Sequence, residues 1–209
     1  MNSWDEPSIK ATFQVSVIMD VSHFFKVELI IPAHLTAISN TLIEQEIDLE
    51  DNMKKVLFQV TPIMSTYLVA WIVGYFDVKE STIELKHKSD EPNSSNNIIV
   101  RAFTSKGHDS HAEFAIDMAK KSLQFFTHLF NLPYHLPKID LVSVRSLDAM
   151  AMENWGCLVF QEQYFLVTEN TSLPLKQRIA RLIAHEICHQ WFGNLVSIYS
   201  WKYLWLKVQ

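Results

Sequence analysis

Over the first hundred residues, β-branched and aromatic positions gather in short runs separated by polar or proline-containing stretches. The runs cover residues 13–19, 24–31, 55–60, 67–78, 82–87 and 98–103. Strands this short and closely spaced predict an antiparallel sandwich or a saddle-shaped sheet. The longest apolar run, "YLVAWIVGYF" at 67–76, is far shorter than the roughly 20 residues a membrane-spanning helix requires, and reads as a buried strand. The polar stretch "KSDEPNSSNN" at 88–97 reads as a hairpin tip or surface loop, because strand pattern resumes directly after it.

After Phe103 the period changes. Ala115, Ala119, Leu123, Phe126 and Phe130 recur at three- and four-residue intervals, which predicts one buried face of a helix over 109–130. His108, His111 and His128, near the ends of that segment, are read as ordinary surface histidines. "NLPYHLPK" interrupts the pattern and "KIDLVSV" at 138–144 returns to strand, followed by a second strand-like run, "CLVFQEQYFL", at 157–166. A last helix is expected from Ser172, whose hydroxyl can cap it, with Pro174 tolerated in the first turn. It should run through "LKQRIARLIAHEICHQWF" and stop at Gly193 and Asn194. The chain is therefore α+β.

That last helix contains H-E-x-x-H. At about 100° per residue, His185 and His189 project from one face a turn apart, the spacing at which two imidazoles reach a single zinc ion. Glu186 lies roughly 60° from His189 around the axis, placed to take a proton from a zinc-activated water and return it to the leaving amine. A chance match, or a buried helix with two structural histidines, would give the same pattern. Against both, His185, Glu186 and His189 interrupt an apolar stretch, where an unpartnered imidazole or carboxylate is costly. Cys188 points about 100° away from His189 and reads as a packed thiol. A catalytic zinc needs three protein ligands and an open position. The helix supplies two.

Composition narrows the class. Apolar residues make up 48% and charged residues 20%, which excludes a disordered tail or a fibre. The net charge of −5 comes without a basic stripe and excludes a nucleic-acid surface. Cys157 and Cys188 are too few for a disulfide framework and are expected as free thiols. The first residues, "MNSWDEPSIKATF", carry neither a basic start nor an apolar segment, so no secretory signal is read and a cytoplasmic location is expected.

Four stretches together resemble one family, the zinc aminopeptidases of the aminopeptidase N and puromycin-sensitive type (gluzincins). "SWDEPSIKATF" resembles the family's D-E-P stretch and the strand after it, and "TPIMSTYLVAWIVG" its M-S-T-Y-L strand. "AMAMENWG" resembles its G-A-M-E-N loop, and "HEICHQWFGNLV" with "WKYLWL" its zinc helix and the helix that follows. They occur in the family's order. The resemblance implies the later portion of an N-terminal β-domain over 1–101 and the first half of a thermolysin-like catalytic domain over 102–209. It implies one Zn2+ ion on His185 and His189, with Glu186 as general base. It also implies that Glu153, with Ala151, Met152 and Asn154 beside it, binds the free α-amine of a peptide substrate. A carboxylate in a site that must accept a cationic terminus is suitable chemistry on its own account, because a desolvated ion pair fixes register.

The chain departs from the family pattern at four places. Met150 stands where the loop usually has glycine, which leaves the loop's geometry open. The match begins in mid-domain at Met1. The stretch "IMDVSHFFKVEL", around residues 19–30, is extra; it reads as an extended hairpin or as translated non-coding sequence, the second preferred. Finally, the family's third zinc ligand, a glutamate, falls at position 208, where this chain has Val208 inside a closing "KVQ". An isopropyl group cannot bind zinc, and Gln209 offers only a neutral amide. The ligand set is thus expected to be incomplete. The leading expectation is an aminopeptidase truncated at both ends. The alternative is an inactive truncated fragment that at most binds peptides or partners, and a thermolysin-class endopeptidase is a third reading.

Overall fold

The computed structural model describes residues 14–19, 24–85 and 96–206. The D-E-P stretch, Val208, and the expected polar loop except for its last two residues lie outside the described residues. Among the described residues, eleven strands and two α-helices follow in the order β1 Gln14–Met19, β2 Phe25–Pro32, β3 Thr36–Ser39, β4 Ile43–Asp48, β5 Met53–Phe58, β6 Trp71–Gly74, β7 Asp77–Leu85, β8 Asn96–Thr104, α1 Glu113–Phe130, β9 Lys138–Val144, β10 Ala151–Met152, β11 Cys157–Gln161 and α2 Leu173–Cys188. They form a four-stranded sheet β1-β2-β5-β4, a two-stranded ribbon β3-β6, and a five-stranded sheet β10-β11-β9-β8-β7.

The four-stranded sheet is antiparallel throughout. Phe25, Val27, Leu29 and Ile31 alternate inward along β2 and meet Val56 and Phe58 of β5. Nearly all described residues of the supposed extra segment lie in the paired strands β1 and β2, with Gln14 opposite Ile30 and Met19 opposite Phe25. This pairing, with a strict inward alternation that fills a core, is what the extended-hairpin reading expects. β4, "IEQEID", was not predicted because it is an exposed edge strand with little apolar signal.

The five-stranded sheet is mixed. β9 pairs in parallel with β8 and β11, while β7 and β10 flank them antiparallel. One face carries α1 and α2 through Ala115, Ala119, Leu123, Ile179, Ile183 and Ile187. The other packs through Val142, Val144, Cys157 and Val159 on Ile38 and Ile72 of the β3-β6 ribbon. Covered on both faces, β9 is buried along its whole length, as a central parallel strand requires. The division expected at 101/102 falls inside β8, and β7, earlier in sequence, lies in the same sheet.

Two element boundaries differ from expectation for definable reasons. The run at 67–78 is not one strand but a 3-10 turn, Thr66–Leu68, followed by β6 and the start of β7. Asn40 explains the break: its amide donates to Leu68 O at 2.8 Å and its Oδ1 accepts from Ala70 N at 2.9 Å, taking backbone groups a continuous strand would have paired. The run at 157–166 likewise ends as strand at Gln161 and turns into a 3-10 segment, Glu162–Tyr164. Ser172 sits at the N-cap of α2 with extended backbone, but its side chain makes no capping bond.

Gly156 has φ +73°, and a Cβ there would lie 2.5 Å from Asn40 O and 2.7 Å from Leu136 Cδ1. Gly156→Ala is expected to destabilise the fold by about 1–3 kcal/mol, because left-handed strain adds to a backbone clash that no rotamer relieves. A urea denaturation midpoint equal to wild type would contradict this. Among the described residues no helix is long and apolar enough to cross a membrane.

Candidate metal centre and the loop above it

α2 is amphipathic, and its buried face leads from Ile179 and Ile183 to Glu186 and Ile187, so burying the helix carries the polar residues inward with it. The α-helical pattern was expected to continue to Phe192 but stops at Cys188. Beyond it the bonds tighten to Gln190 N→Ile187 O at 3.0 Å and Trp191 N→Cys188 O at 3.1 Å, until Gly193 takes φ +124°. His189 keeps helical backbone at the C-cap, so it still stands one turn beyond His185. Trp191 anchors this end against Phe126 and Phe130 of α1 and against Tyr134, and donates to Leu132 O.

The Nε2 atoms of His185 and His189 lie 3.1 Å apart. With zinc–nitrogen bonds near 2.05 Å, the edge of a tetrahedron is about 3.3 Å, so two ring nitrogens already sit at nearly the spacing a shared ion imposes. His189 donates from Nδ1 to Phe192 O at 3.0 Å, which leaves the Nε2 lone pair of the neutral ring directed at His185. Burial and the neighbouring His189 hold the pKa of His185 below the usual imidazole range, with Glu153 opposing. A metal ligand must be neutral, and this environment favours the neutral ring. Glu153, Glu186 and His189 each place a donor atom within 4.8 Å of the others. Two imidazole nitrogens at this spacing suit zinc, with two carboxylates beside His189.

Glu153 lies on the loop between β10 and β11. Ala151 and Met152 are half-buried and form β10, opposite Phe160 and Val159. Met150, whose geometry was in question, needs no left-handed backbone: it does not take positive φ, and its carbonyl accepts from Gln161 N at 3.0 Å. Asn154 is buried and directs its amide toward Leu68 O at 3.3 Å and Tyr67 O at 3.4 Å, into the 3-10 turn.

Several residues that build the site were not singled out in the sequence. Lys138, fully buried, donates to Ser39 O and Gly156 O at 2.7 Å each and to Asp140 Oδ2 at 2.6 Å. Arg101 completes the set with a two-pronged bond to Asp140 at 2.7 and 2.9 Å. Asn40 donates to Trp155 O at 2.9 Å. From the helix side, Gln190 and Asn194 donate to Glu153 O at 3.3 and 2.9 Å. The available signal was polar residues inside apolar runs: Lys138 and Asp140 two apart in β9, hence on one face, and Gln190 beside Trp191 and Phe192.

Cys157 is buried at the heart of this region, and burial pushes its thiol up to about 12, so it packs as an inert group. Cys188 is also free, and burial raises it too. His108 and His128 are exposed and His111 half-buried.

Comparison with known proteins agrees with this architecture. The Peptidase M1 N-terminal domain matches residues 1–68, and the Peptidase family M1 domain matches residues 114–208. Aminopeptidase M1 of Arabidopsis thaliana is 40% identical over 205 residues, covering 98% of this chain and 21% of that protein. Two proteins of Saccharomyces cerevisiae, "Aminopeptidase 2, mitochondrial" and "Alanine/arginine aminopeptidase", are each 38% identical over 205 residues, covering 98% of this chain and 19% and 21% of their own lengths. The chain spans about a fifth of the length of the curated relatives it matches. Both domains of one family match in order and aminopeptidases align along nearly the whole sequence, so the chain belongs to peptidase family M1.

Proposed function

We propose that this protein is a zinc-dependent aminopeptidase, removing N-terminal residues from peptides. The observation that carries the reading is the pair of imidazole Nε2 atoms 3.1 Å apart, with the carboxylates of Glu186 and Glu153 grouped around His189. In this reading His185 and His189 hold the ion, which when bound lowers the pKa of a water and polarises the scissile carbonyl. Val208 contributes no donor atom, so the ligand set within this chain is incomplete. Glu186, buried on the same helix, takes the proton from the attacking water and delivers it to the leaving amine. Glu153 pairs with the substrate's α-ammonium and so selects chain ends over internal bonds. Ala151, Met152 and Asn154 shape the loop that presents Glu153, and residues 1–101 and 102–209 serve as the β-part and the chemical part, joined through β8.

The test is to purify the chain, measure bound zinc, and compare release of a reporter from an unblocked alanyl substrate with release from its N-acetylated form. About one zinc per chain, lost in His189→Ala, with turnover of the unblocked substrate only, is the expected result. Equal turnover of both substrates would point to an endopeptidase. Neither zinc nor turnover would overturn the reading in favour of a catalytically inactive chain.

A further inference from the structure

We propose that Gln190 and Asn194 are positioning residues that lock the Glu153 loop to the end of the histidine helix, and so fix the distance at which a free amino terminus is registered from the metal end of the site. The proposal rests on the amine-anchor reading given above. Both side chains are buried, at 2% and 4% exposure, where an amide without partners is costly. Gln190 Nε2 donates to Glu153 O and to Glu186 O, both at 3.3 Å, and its Oε1 accepts from Gly156 N at 3.0 Å. Asn194 Nδ2 donates to Glu153 O at 2.9 Å, and its backbone N donates to His189 O at 3.1 Å.

One glutamine therefore grips the loop at both ends, at the carbonyl of Glu153 and the amide of Gly156. It also binds the main chain of Glu186, one turn back on the helix. The turn that carries Asn194 also contains Phe192, whose carbonyl fixes the tautomer of His189. The metal end, the general base and the amine anchor are thereby joined through a few hydrogen bonds rather than through the separate folding of two loops. Lys138 and Asn40 hold the same loop through hydrogen bonds to the carbonyls of Gly156 and Trp155. Loosening the helix-side bonds should alter registration of the amine, whereas loosening the bonds from Lys138 and Asn40 should alter stability.

The variants Gln190→Glu, Gln190→Ala and Asn194→Ala separate these roles. Gly156 amide exchange is followed by NMR, with zinc content, and binding of alanine amide is compared with binding of N-acetylalanine amide. Gln190→Ala should speed Gly156 exchange by about tenfold or more, the effect of losing one buried hydrogen bond. Gln190→Glu keeps the acceptor for Gly156 N–H but sets a carboxylate against Glu153 O; it should leave Gly156 protected and lower the preference for the free amine about tenfold. Asn194→Ala should lower the preference similarly, with zinc content at the wild-type level. Unchanged preference in Gln190→Glu and Asn194→Ala, or a loss that only parallels loss of zinc, overturns the proposal. If Gln190→Ala fails to fold, the other two variants decide. If wild type itself shows no preference for the free amine, the amine-anchor reading falls, and Gly156 exchange alone then decides whether the lock exists.

Discussion

Glu186→Gln is expected to leave zinc binding at the wild-type level while lowering turnover of an unblocked alanyl reporter by about 10²- to 10⁴-fold, the range a positioned general base contributes. The amide keeps the volume of the buried side chain, so the packing beside Ile183 and Ile187 is preserved. What it removes is the capacity to accept a proton. The effect should therefore fall on kcat rather than on binding, which separates a base from a residue that merely fills space. Zinc content measured beside the rates makes the comparison decisive: retained metal with retained turnover would show that Glu186 is not the base.

Lys138→Met is expected to destabilise the chain by about 3–5 kcal/mol, because three buried acceptors lose a charged donor at once. The ammonium has three acceptors, Ser39 O, Gly156 O and Asp140 Oδ2, and all lose this donor at once. Arg101 still engages Asp140 through both prongs, so the carboxylate keeps one cation. The two carbonyls lose their bond to Lys138, and with it one tie between β3, β9 and the loop after Glu153. For a chain of this length each kcal/mol moves the melting temperature by roughly 2–4 °C, so a fall of about 6–20 °C is the readout. A fall of less than about 2 °C would mean that Arg101 and the surrounding packing carry the region without the lysine.

Legibility in the sequence followed the strength of each local pattern. α1 and β9 stood out because a face of Ala115, Ala119 and Leu123, or an apolar run such as "KIDLVSV", leaves its period in the sequence whatever the rest of the chain does. The histidine pair was legible for the same reason: His185 and His189 need only helical backbone to share a face. β4 was not legible, since an exposed edge strand buries little and carries no apolar alternation. The split of the run at 67–78 was hidden because its cause, Asn40, lies 28 residues before Leu68. The end of α2 was misplaced by a few residues because tightening of the last turn depends on contacts made by Gln190 and Trp191.

The amino-acid sequence by itself determined the α+β class, the pairing of His185 with His189, the place of Glu186 beside them and the order of stretches that resembles the family. All of these are short-range or ordered properties that survive without knowledge of distant partners. Only the tertiary structure decided that Glu153 stands within reach of His189 and Glu186. It alone revealed that Met150 is accommodated without strained backbone, that β2 pairs with β1 and fills a core, and that Lys138, Asn40, Gln190 and Asn194 hold the loop. The reason is physical: a buried polar group must find its partner wherever the fold places one, and those partners lie up to 115 residues away.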